Sequence, residues 1–295
     1  MINDRGNSVG AMPPAVDIPF RLAWRSSGVR AGAHRSRQGG TGGLFKDHVS
    51  LLDNPDPRRI DLRASARDPL EALRVRRFEQ NSAITAYALV DVTGSMGVVG
   101  HTSKISLAAD LVSVLAASAR RIGDAFGIIA CDSDVHGELF QRATRARAGE
   151  VEFAAELRGL TPNRRGVEGL IRASELIAGR RKLVILISDF QMSSQEMEDV
   201  FAALSPHDVV PILLRDSAEV EGLPNWGLLA LRDAETGRRR LVAVRPSLKT
   251  RWCRVDADRR GRLRAIASRH GREPFEITDV IDWDRLASYF AGGGI

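Results

Sequence analysis

Two aspartates and two hydroxyl residues have the types and spacing of an oxygen-rich binding site. Asp91 and Asp189 each end an apolar run of the kind that forms a buried parallel strand. Thr93 and Ser95 follow Asp91 at the second and fourth positions. Because ligands bind beyond the carboxyl ends of parallel strands, these side chains are expected to converge at one edge of a sheet. Hard divalent cations such as Mg²⁺ prefer oxygen ligands, so the pattern predicts a cation site.

The elements that would position these residues alternate between strands and helices. Strands are predicted at residues 84–91, 125–132, 182–189 and 208–214. Helices are predicted after them at residues 103–121, 151–157, 167–178 and 194–204. This alternation predicts an α/β fold with a mostly parallel, doubly wound sheet. Pro211, inside the last strand, indicates a sheet margin or a bulge.

The two flanks of this pattern are different. Residues 1–16 contain Pro13-Pro14 and are predicted to be disordered, and residues 17–81 to form a β-rich N-terminal extension. Extended pieces are expected there at residues 18–29, 60–67 and 73–78, with a Gly- and Arg-rich loop at 28–43. Residues 82–295 form the predicted α/β domain. Its C-terminal part is expected to contain a hairpin (228–232 and 239–244), a basic helix (247–270), a strand (274–277) and a helix (283–290).

Composition limits the class of protein. The 295 residues are 43% hydrophobic and 27% charged, which is ordinary for a globular chain that buries a core. No apolar run approaches the ~20 residues of a membrane span, and no signal peptide is recognisable, so a cytoplasmic location is expected. Cys131 and Cys253 are too few for a disulfide framework or a zinc site.

The net charge of +6 is concentrated near the N-terminus. Residues 1–80 hold 14 Lys/Arg against 9 Asp/Glu, whereas the remainder holds 29 against 28. A basic segment of this kind can meet nucleic acid, an anionic membrane or an acidic protein surface. Since aromatic residues are not interleaved with the basic ones, a solvated arginine-rich layer is the preferred interpretation, and no nucleic-acid partner is expected.

The candidate site resembles that of a known family. Asp91-Val-Thr-Gly-Ser95 is similar to the Asp-x-Ser-x-Ser loop of von Willebrand factor A domains, and Ile187-Ser-Asp189 to their later aspartate loop. More specifically, the chain resembles the uncharacterised family associated with MoxR-type AAA+ ATPases, and within it the MxaS-like accessory proteins of bacterial methanol-oxidation clusters. The stretches that carry this likeness are residues 20–24, 28–34, 57–67, 75–79, 186–190 and 233–237.

The resemblance implies a function and a degenerate site. It implies a non-enzymatic protein–protein interaction module that works with a MoxR-type AAA+ ATPase and other proteins of the same gene cluster. The process would be maturation or activation of a metabolic enzyme such as methanol dehydrogenase. The implied metal ligands are Asp91, Thr93, Ser95 and Asp189. Val167 stands at the usual threonine position and offers no oxygen, so binding of Mg²⁺ or Mn²⁺ is expected to be weak or absent.

Five further residues are candidates for partner contact. Gly94 and Met96 lie in the first loop and Glu168 follows Val167; Arg63 and Arg67 belong to the arginine-rich stretch. The two arginines are also interpreted as structural.

Asp61 and Glu79 are the expected local partners of these two arginines. The acidic pair Asp132 and Asp134 is interpreted as a solvated strand-end loop. His101 and His136 are interpreted as surface residues, since they lack metal-ligand spacing.

An enzyme is the alternative class. A strand-end aspartate could act as the nucleophile of a Mg²⁺-dependent phosphoryl hydrolase, with Asp91 in that role. Such enzymes place a second acid two residues later, where this chain has Thr93. The sequence has no Gly-x-Ser-x-Gly elbow, which a serine hydrolase would need. It also has no P-loop, so no bound nucleotide is expected. Asp91 could also be purely structural, binding the backbone of its own loop.

Overall fold

The computed structural model describes residues 16–22, 24–26, 30–146, 149–219, 222, 224–232 and 239–292. Apart from Val16, the predicted disordered terminus lies outside these ranges, and so do Gly28, Val29 and the hairpin turn at 233–237. Val16 itself packs against the core, and its carbonyl accepts hydrogen bonds from Ser118 and Arg121.

The strands, in chain order, are β1 (Ala31–Ser50), β2 (Arg74–Ser82), β3 (Thr85–Asp91), β4 (Ala125–Cys131), β5 (Val135–Thr144), β6 (Leu183–Ser188), β7 (Asp208–Arg215), β8 (Gly227–Arg232), β9 (Arg239–Val244) and β10 (Phe275–Thr278). The helices are α1 (Leu62–Ser65), α2 (Lys104–Arg121), α3 (Glu150–Gly159), α4 (Glu168–Leu176), α5 (Ser194–Leu204), α6 (Pro246–Arg269) and α7 (Trp283–Phe290). Within the described residues, no helix is both long and apolar enough to cross a membrane.

The central sheet has six strands in the order β10-β7-β6-β3-β4-β5. All neighbours are parallel except β4 and β5, which are antiparallel. The predicted mostly parallel α/β sheet is therefore confirmed. Strand β5 was not predicted, because this edge strand buries only Leu139 and so lacks the apolar run that marks the interior strands.

Helices cover both faces of the sheet, which confirms the doubly wound arrangement. Alternate residues of β3 point to opposite faces, since side chains alternate along a strand. Ala88 and Val90 join a core formed with α2, α3 and α7. Tyr87 and Leu89 join the other core, formed with α4, α5 and α6. Every residue of β6 is buried, as expected for a central parallel strand.

The N-terminal extension differs from its prediction in three places. Residues 18–22 form no strand; instead Ile18 and Phe20 are buried in the core beside α2 and α7. The predicted loop at 28–43 is strand β1 from Ala31 onward. The stretch 60–67 contains the short helix α1, because the Asp61 carboxylate caps it by accepting the Ala64 N–H at 3.1 Å. Strand β2, antiparallel to β1, confirms the extended piece predicted at 73–78.

Polar contacts attach the extension to the sheet domain. The His34 Nε2 of β1 lies 2.6 Å from Asp124 Oδ2, and both side chains are buried. The second oxygen of Asp124 accepts the Ile84 N–H at 2.9 Å. Ser26 and Ser82, also buried, are joined through their hydroxyls. The extension therefore packs on the amino end of the sheet.

The C-terminal elements agree with the sequence. The hairpin β8–β9 and the helices α6 and α7 lie where they were predicted, and β10 joins the sheet edge as a parallel strand. Pro211 lies in β7, the second strand from that edge. Its missing N–H is tolerated because β10 begins only opposite Ile212, so this edge of β7 has no β10 partner at Pro211.

Candidate functional site

Five parallel strands of the sheet end in aspartate. Each acid is the last residue of its strand or the next one along the chain, so all five lie at the carboxyl edge. In spatial order from β10 to β4 they are Asp279, Asp216, Asp189, Asp91 and Asp132. Only Asp91 and Asp189 were selected from the sequence as site residues. The repeated strand-end acid was the signal that could have identified the whole edge.

Asp91 is held at the centre of this edge. Its Oδ1 accepts the Thr93 N–H at 2.9 Å, and its Oδ2 accepts the Ser188 hydroxyl at 2.5 Å. The side chain is buried, with 1% exposure. Burial raises the pKa of Asp91 to about 6, and the neighbouring Asp189 carboxylate contributes to the rise. Asp91 therefore titrates just below neutral pH.

The four residues predicted as a site do lie together. Asp189 Oδ1 accepts the Ser95 hydroxyl at 3.1 Å and the Gln191 N–H at 3.1 Å. The Thr93 and Ser95 hydroxyl oxygens are 3.3 Å apart. The two carboxylates and two hydroxyls thus form one hydrogen-bonded cluster between β3 and β6.

Lys104 completes this cluster and was not predicted. Its ammonium donates to Asp189 Oδ2 at 2.8 Å and also bonds Glu219. The lysine is fully buried, with 0% exposure. Burial alone would lower the pKa of Lys104, but the two carboxylates outweigh it and hold that pKa above its ordinary value. The lysine is therefore a permanent internal cation.

A sequence signal for Lys104 did exist. It lies on the same helical stripe as Ala108, Leu111 and Leu115, all of which are buried. A lysine on a buried stripe requires an acidic partner, because lysine is almost never buried unpaired. It also occupies the first turn of α2, where the helix dipole disfavours a cation.

These contacts do not fit a resident divalent cation. Lys104 already supplies the positive charge beside Asp189, and both oxygens of Asp91 accept hydrogen bonds. Val167 adds no oxygen. The described residues contain no group of three or more His, Cys, Asp or Glu side chains arranged to hold a metal. At the centre of this edge, the Lys104 ammonium is the counter-ion of Asp189 and Glu219.

A cleft of about 240 Å³ opens beside Asp91. Its walls come from the loop after β3, from the start of α4 and from the start of α5. The lining residues are Asp91, Thr93, Arg165, Gly166, Val167, Gln191, Met192, Ser193 and Glu196. Val167 is thus placed next to the acid, as the family resemblance implied, while its side chain belongs to the core shared with α4 and α5.

Of the five predicted partner-contact residues, two are buried and two lie away from the cleft. Met96 is fully buried in the core, and buried Gly94 donates its N–H to the Arg164 carbonyl at 2.9 Å, so neither offers a surface to a partner. Arg63 and Arg67 are exposed near α1 and do not line the cleft. Their predicted partners are engaged with other basic residues: Asp61 binds Arg76 and His48, and Glu79 pairs with Arg35.

Glu168 is the fifth of these residues, and it lies at the rim. It is exposed at the start of α4, and its carboxylate covers Gly166, where an added Cβ would lie 2.1 Å from Glu168 Oε2. Gly166 has a φ of 103°, which a residue with a side chain rarely adopts. Glycine is therefore required where the chain turns into α4.

The other acidic pair belongs to a separate cluster. Asp132 is buried, and its Oδ2 lies 2.8 Å from His136 Nε2. Asp134 forms an ion pair with Arg172 at 2.7 Å. The interpretation of this pair as a wholly solvated loop was therefore wrong for Asp132. His101 binds Asp216 through its backbone N–H at 3.1 Å, so its contribution here comes from the backbone.

Replacement of Asp91 by asparagine tests the electrostatics of the cluster. An unfolded aspartate titrates near pH 3.8 and folded Asp91 near 6, so the folded state binds more protons between these values and stability falls as pH rises through this window. Asp91→Asn can keep both hydrogen bonds, accepting from Thr93 and donating to Ser188. We expect it to raise the free energy of unfolding at pH 7 by about 1–3 kcal/mol.

Urea denaturation between pH 4 and 8 measures this effect. The Asp91→Asn protein should lose most of the decline that the wild type shows between about pH 4 and 6. Asp258→Asn, at an exposed position on α6, is the matched control and should leave the profile unchanged. Destabilisation by Asp91→Asn at pH 7 would mean that the ionised carboxylate stabilises the cluster.

Comparison with known proteins assigns the chain to a family. Residues 55–262, more than half of the chain, match the model described as a protein of unknown function, DUF58. The chain belongs to the DUF58 family. The match includes the aspartate edge from β3 to β7 and most of α6, and it ends before β10.

Relatives of this DUF58 chain cover different shares of it. An uncharacterized protein in the moxR 3' region of Paracoccus denitrificans is 44% identical over 97 residues, which are 33% of this chain and 92% of that protein. An uncharacterized protein of Mycobacterium tuberculosis is 30% identical over 104 residues, 35% of this chain and 32% of that protein. The aligned part of the DUF58 chain thus spans about a third of the mycobacterial protein's length.

Among solved structures, the conserved hypothetical protein BatB from Bacteroides thetaiotaomicron is similar to this DUF58 chain. The two are 14% identical, with a TM-score of 0.46, and the similarity covers 72% of this chain and 98% of the BatB chain.

Proposed function

We propose that this DUF58 protein is a non-enzymatic protein-interaction module that presents the cleft beside Asp91 to a protein partner. The observation that carries the proposal is the state of the cluster: its carboxylates are bonded by backbone and hydroxyl donors and neutralised by Lys104. Such a cluster holds the loops of the cleft in place rather than performing chemistry. Exposed polar residues line this cleft, among them Arg165 and Gln191.

The hydrolase alternative has weaker support. A nucleophilic carboxylate must be accessible to the phosphorus atom of its substrate, and hydrogen bonds to its oxygens reduce its nucleophilicity. Both oxygens of Asp91 accept hydrogen bonds, and the side chain is 1% exposed. If Asp91 were the nucleophile, wild-type protein would hydrolyse a generic phosphate ester in the presence of Mg²⁺, and Asp91→Asn would abolish that activity while the protein stayed folded.

The proposed partner is a MoxR-type AAA+ ATPase. The name of the Paracoccus relative places that protein beside moxR, and a gene neighbour is a reasonable candidate for a physical partner. The sequence resemblance to MxaS-like accessory proteins extends the proposal to maturation or activation of a metabolic enzyme such as methanol dehydrogenase, with other proteins of the same gene cluster taking part. A cytoplasmic location is consistent with such a partner and stays a prediction.

Co-purification tests this proposal. The tagged chain is used to capture proteins from its native cells with ATP, with ADP and without nucleotide, and the recovered AAA+ ATPase is quantified by mass spectrometry. Reversal of charge at the rim by Arg165→Glu is expected to reduce recovery roughly five-fold or more, the effect of losing one important interface contact. Arg254→Glu, at an exposed site on α6, is the matched control and should retain recovery.

Two results would overturn the proposal. One is failure to recover the ATPase under any nucleotide condition. The other is equal loss of recovery for the Arg165→Glu and Arg254→Glu proteins, which would indicate a general charge effect instead of binding at the cleft.

A further inference from the structure

A second cavity, of about 370 Å³, lies at the amino end of the central strands, away from the aspartate edge. Five of its ten lining residues are basic: Arg30, Arg145, Arg180, Arg181 and Lys182. Among the described residues that line it, none carries a carboxylate. At the aspartate edge, Lys104 pairs with Asp189 and Glu219, whereas the charged residues that line this cavity are all of one sign. Cavities of this polarity attract anions.

Two parts of the chain build this cavity. The start of β3 and the residues just before β6 form one side, and Trp24 and Ser26 of the N-terminal extension form the other. Buried Ser26 is bonded to Ser82, the last residue of β2, which directly precedes the lining residues Ala83 and Ile84. The cavity is therefore lined both by the N-terminal extension and by the start of the central sheet.

Trp24 places an aromatic ring beside one of these cations. The Arg181 guanidinium lies 5.7 Å from the centroid of the Trp24 ring, and both residues line the cavity. This cation–π contact orients the guanidinium at the cavity wall without supplying a negative charge.

Lys182 and Arg145 donate hydrogen bonds to backbone carbonyls, which orient these two cations without cancelling their charge. The Lys182 ammonium donates to the carbonyls of Ile177 at 2.7 Å and Ala178 at 2.9 Å, and Arg145 Nε donates to the Gly123 carbonyl at 2.9 Å. Burial lowers the pKa of Lys182, as expected for a cation without a carboxylate beside it. The Asp124 carboxylate, which contacts His34 and the Ile84 N–H, is not among the lining residues.

We propose that this cavity binds a small anion that carries a diphosphate group. Guanidinium groups present parallel N–H donors that match phosphate oxygens, and three or more of them favour a multiply charged ligand. A volume of about 370 Å³ suits a small molecule and is too small for a folded partner. This inference concerns the opposite end of the sheet and is independent of the proposed partner cleft.

Titration calorimetry with inorganic pyrophosphate at low ionic strength tests the site. Arg181→Gln and Arg145→Gln each remove one charge from the cavity wall. Each is expected to weaken binding roughly ten-fold, the effect of losing one hydrogen bond to a charged group. Arg30→Gln, at an exposed position, is a third charge variant in case Arg181→Gln perturbs the fold.

A matched control separates the site from general charge. Arg254→Gln, at an exposed position on α6, should bind pyrophosphate like the wild type. Absence of pyrophosphate binding, or equal weakening by the control and cavity variants, would overturn the proposal.

Three further ligands identify the source of the diphosphate. Tighter binding of ADP than of pyrophosphate would show that the group belongs to a nucleotide, and the reverse order would show a free diphosphate; both outcomes support the site. Equal affinity for citrate would overturn the requirement for phosphate. Tighter binding of an octaglutamate peptide would replace the small anion by an acidic protein segment.

Discussion

Replacement of Lys104 by methionine is expected to reduce the free energy of unfolding by about 3–5 kcal/mol, the usual result of removing one partner from a buried ion pair. Methionine fills a similar volume but leaves Asp189 without its cation, and Glu219 loses the same partner. Chemical denaturation at pH 7 measures the loss. Arg254→Met, at an exposed position on α6, is the control and should change stability by less than about 0.5 kcal/mol.

A double-mutant cycle assigns the loss to the pair. Asp189→Asn removes the uncompensated charge, so the double variant Lys104→Met/Asp189→Asn should be more stable than the sum of the single losses predicts, by about 1 kcal/mol or more. Additive losses would contradict the interpretation of Lys104 as the counter-ion of Asp189. The loss in Lys104→Met should also shrink as pH falls toward 5, because burial already raises the pKa of Glu219 and protonation removes its unpaired charge.

The Lys104→Met substitution also tests whether the Lys104 ammonium prevents a divalent cation from binding beside Asp189. We expect Mg²⁺ and Mn²⁺ to leave the melting temperature of the wild type nearly unchanged, since Lys104 supplies the charge beside Asp189. Lys104→Met combined with Val167→Thr removes the ammonium and adds a hydroxyl to the cleft. This double variant should be stabilised by Mg²⁺. Strong stabilisation of the wild type by Mg²⁺ would show that a cation binds despite Lys104.

Asp216→Ala is expected to produce the second large loss, about 2–4 kcal/mol. The carboxylate accepts the backbone N–H groups of Gly100 at 2.6 Å, His101 at 3.1 Å and Thr102 at 3.4 Å, and it also binds the Ala218 N–H. It thereby holds the loop that leads from the cluster into α2. The loop approaches so closely that an added Cβ on Gly100 would lie 2.7 Å from Asp216 Oδ2.

The dependence of the free energy of unfolding on pH in the acid range tests whether Asp216 stabilises the loop in its ionised form. Burial opposes its ionisation, but the backbone donors, with His101 first, outweigh burial and hold the pKa of Asp216 below its ordinary value. Its contribution is therefore present above the unfolded pKa near 3.8 and is lost as pH falls below it. The curves of the wild type and Asp216→Ala should converge in strong acid.

Hydrogen exchange measures the local effect of Asp216→Ala. The amides of Gly100, His101 and Thr102 should exchange faster in this variant, because they lose their acceptor. Asp110→Ala breaks a partly exposed ion pair with Arg158 and is the control, with a loss below about 1 kcal/mol. Equal losses for the two variants would contradict the proposed function of Asp216 as the anchor of the loop.

The sequence by itself determined the sheet and part of its functional edge. Apolar runs ending in Asp91 and Asp189 predicted interior parallel strands, because a strand covered on both faces must be apolar along its length. An edge strand that buries few residues lacks such an apolar run, and β5, which buries only Leu139, was not predicted for that reason. In the extension, Asp61 was a local capping signal whose meaning for α1 was overlooked.

Tertiary structure alone decided how the edge is neutralised. Lys104 reaches Asp189 across 85 residues and Glu219 across 115, and Asp216 binds the Gly100 N–H across 116. A helical stripe can show that Lys104 needs an acidic partner, but no local pattern states which of the five strand-end acids will be within reach. The order of the strands makes that choice, because it places β6 beside β3 and β7 beside β6 and so brings distant loops into contact.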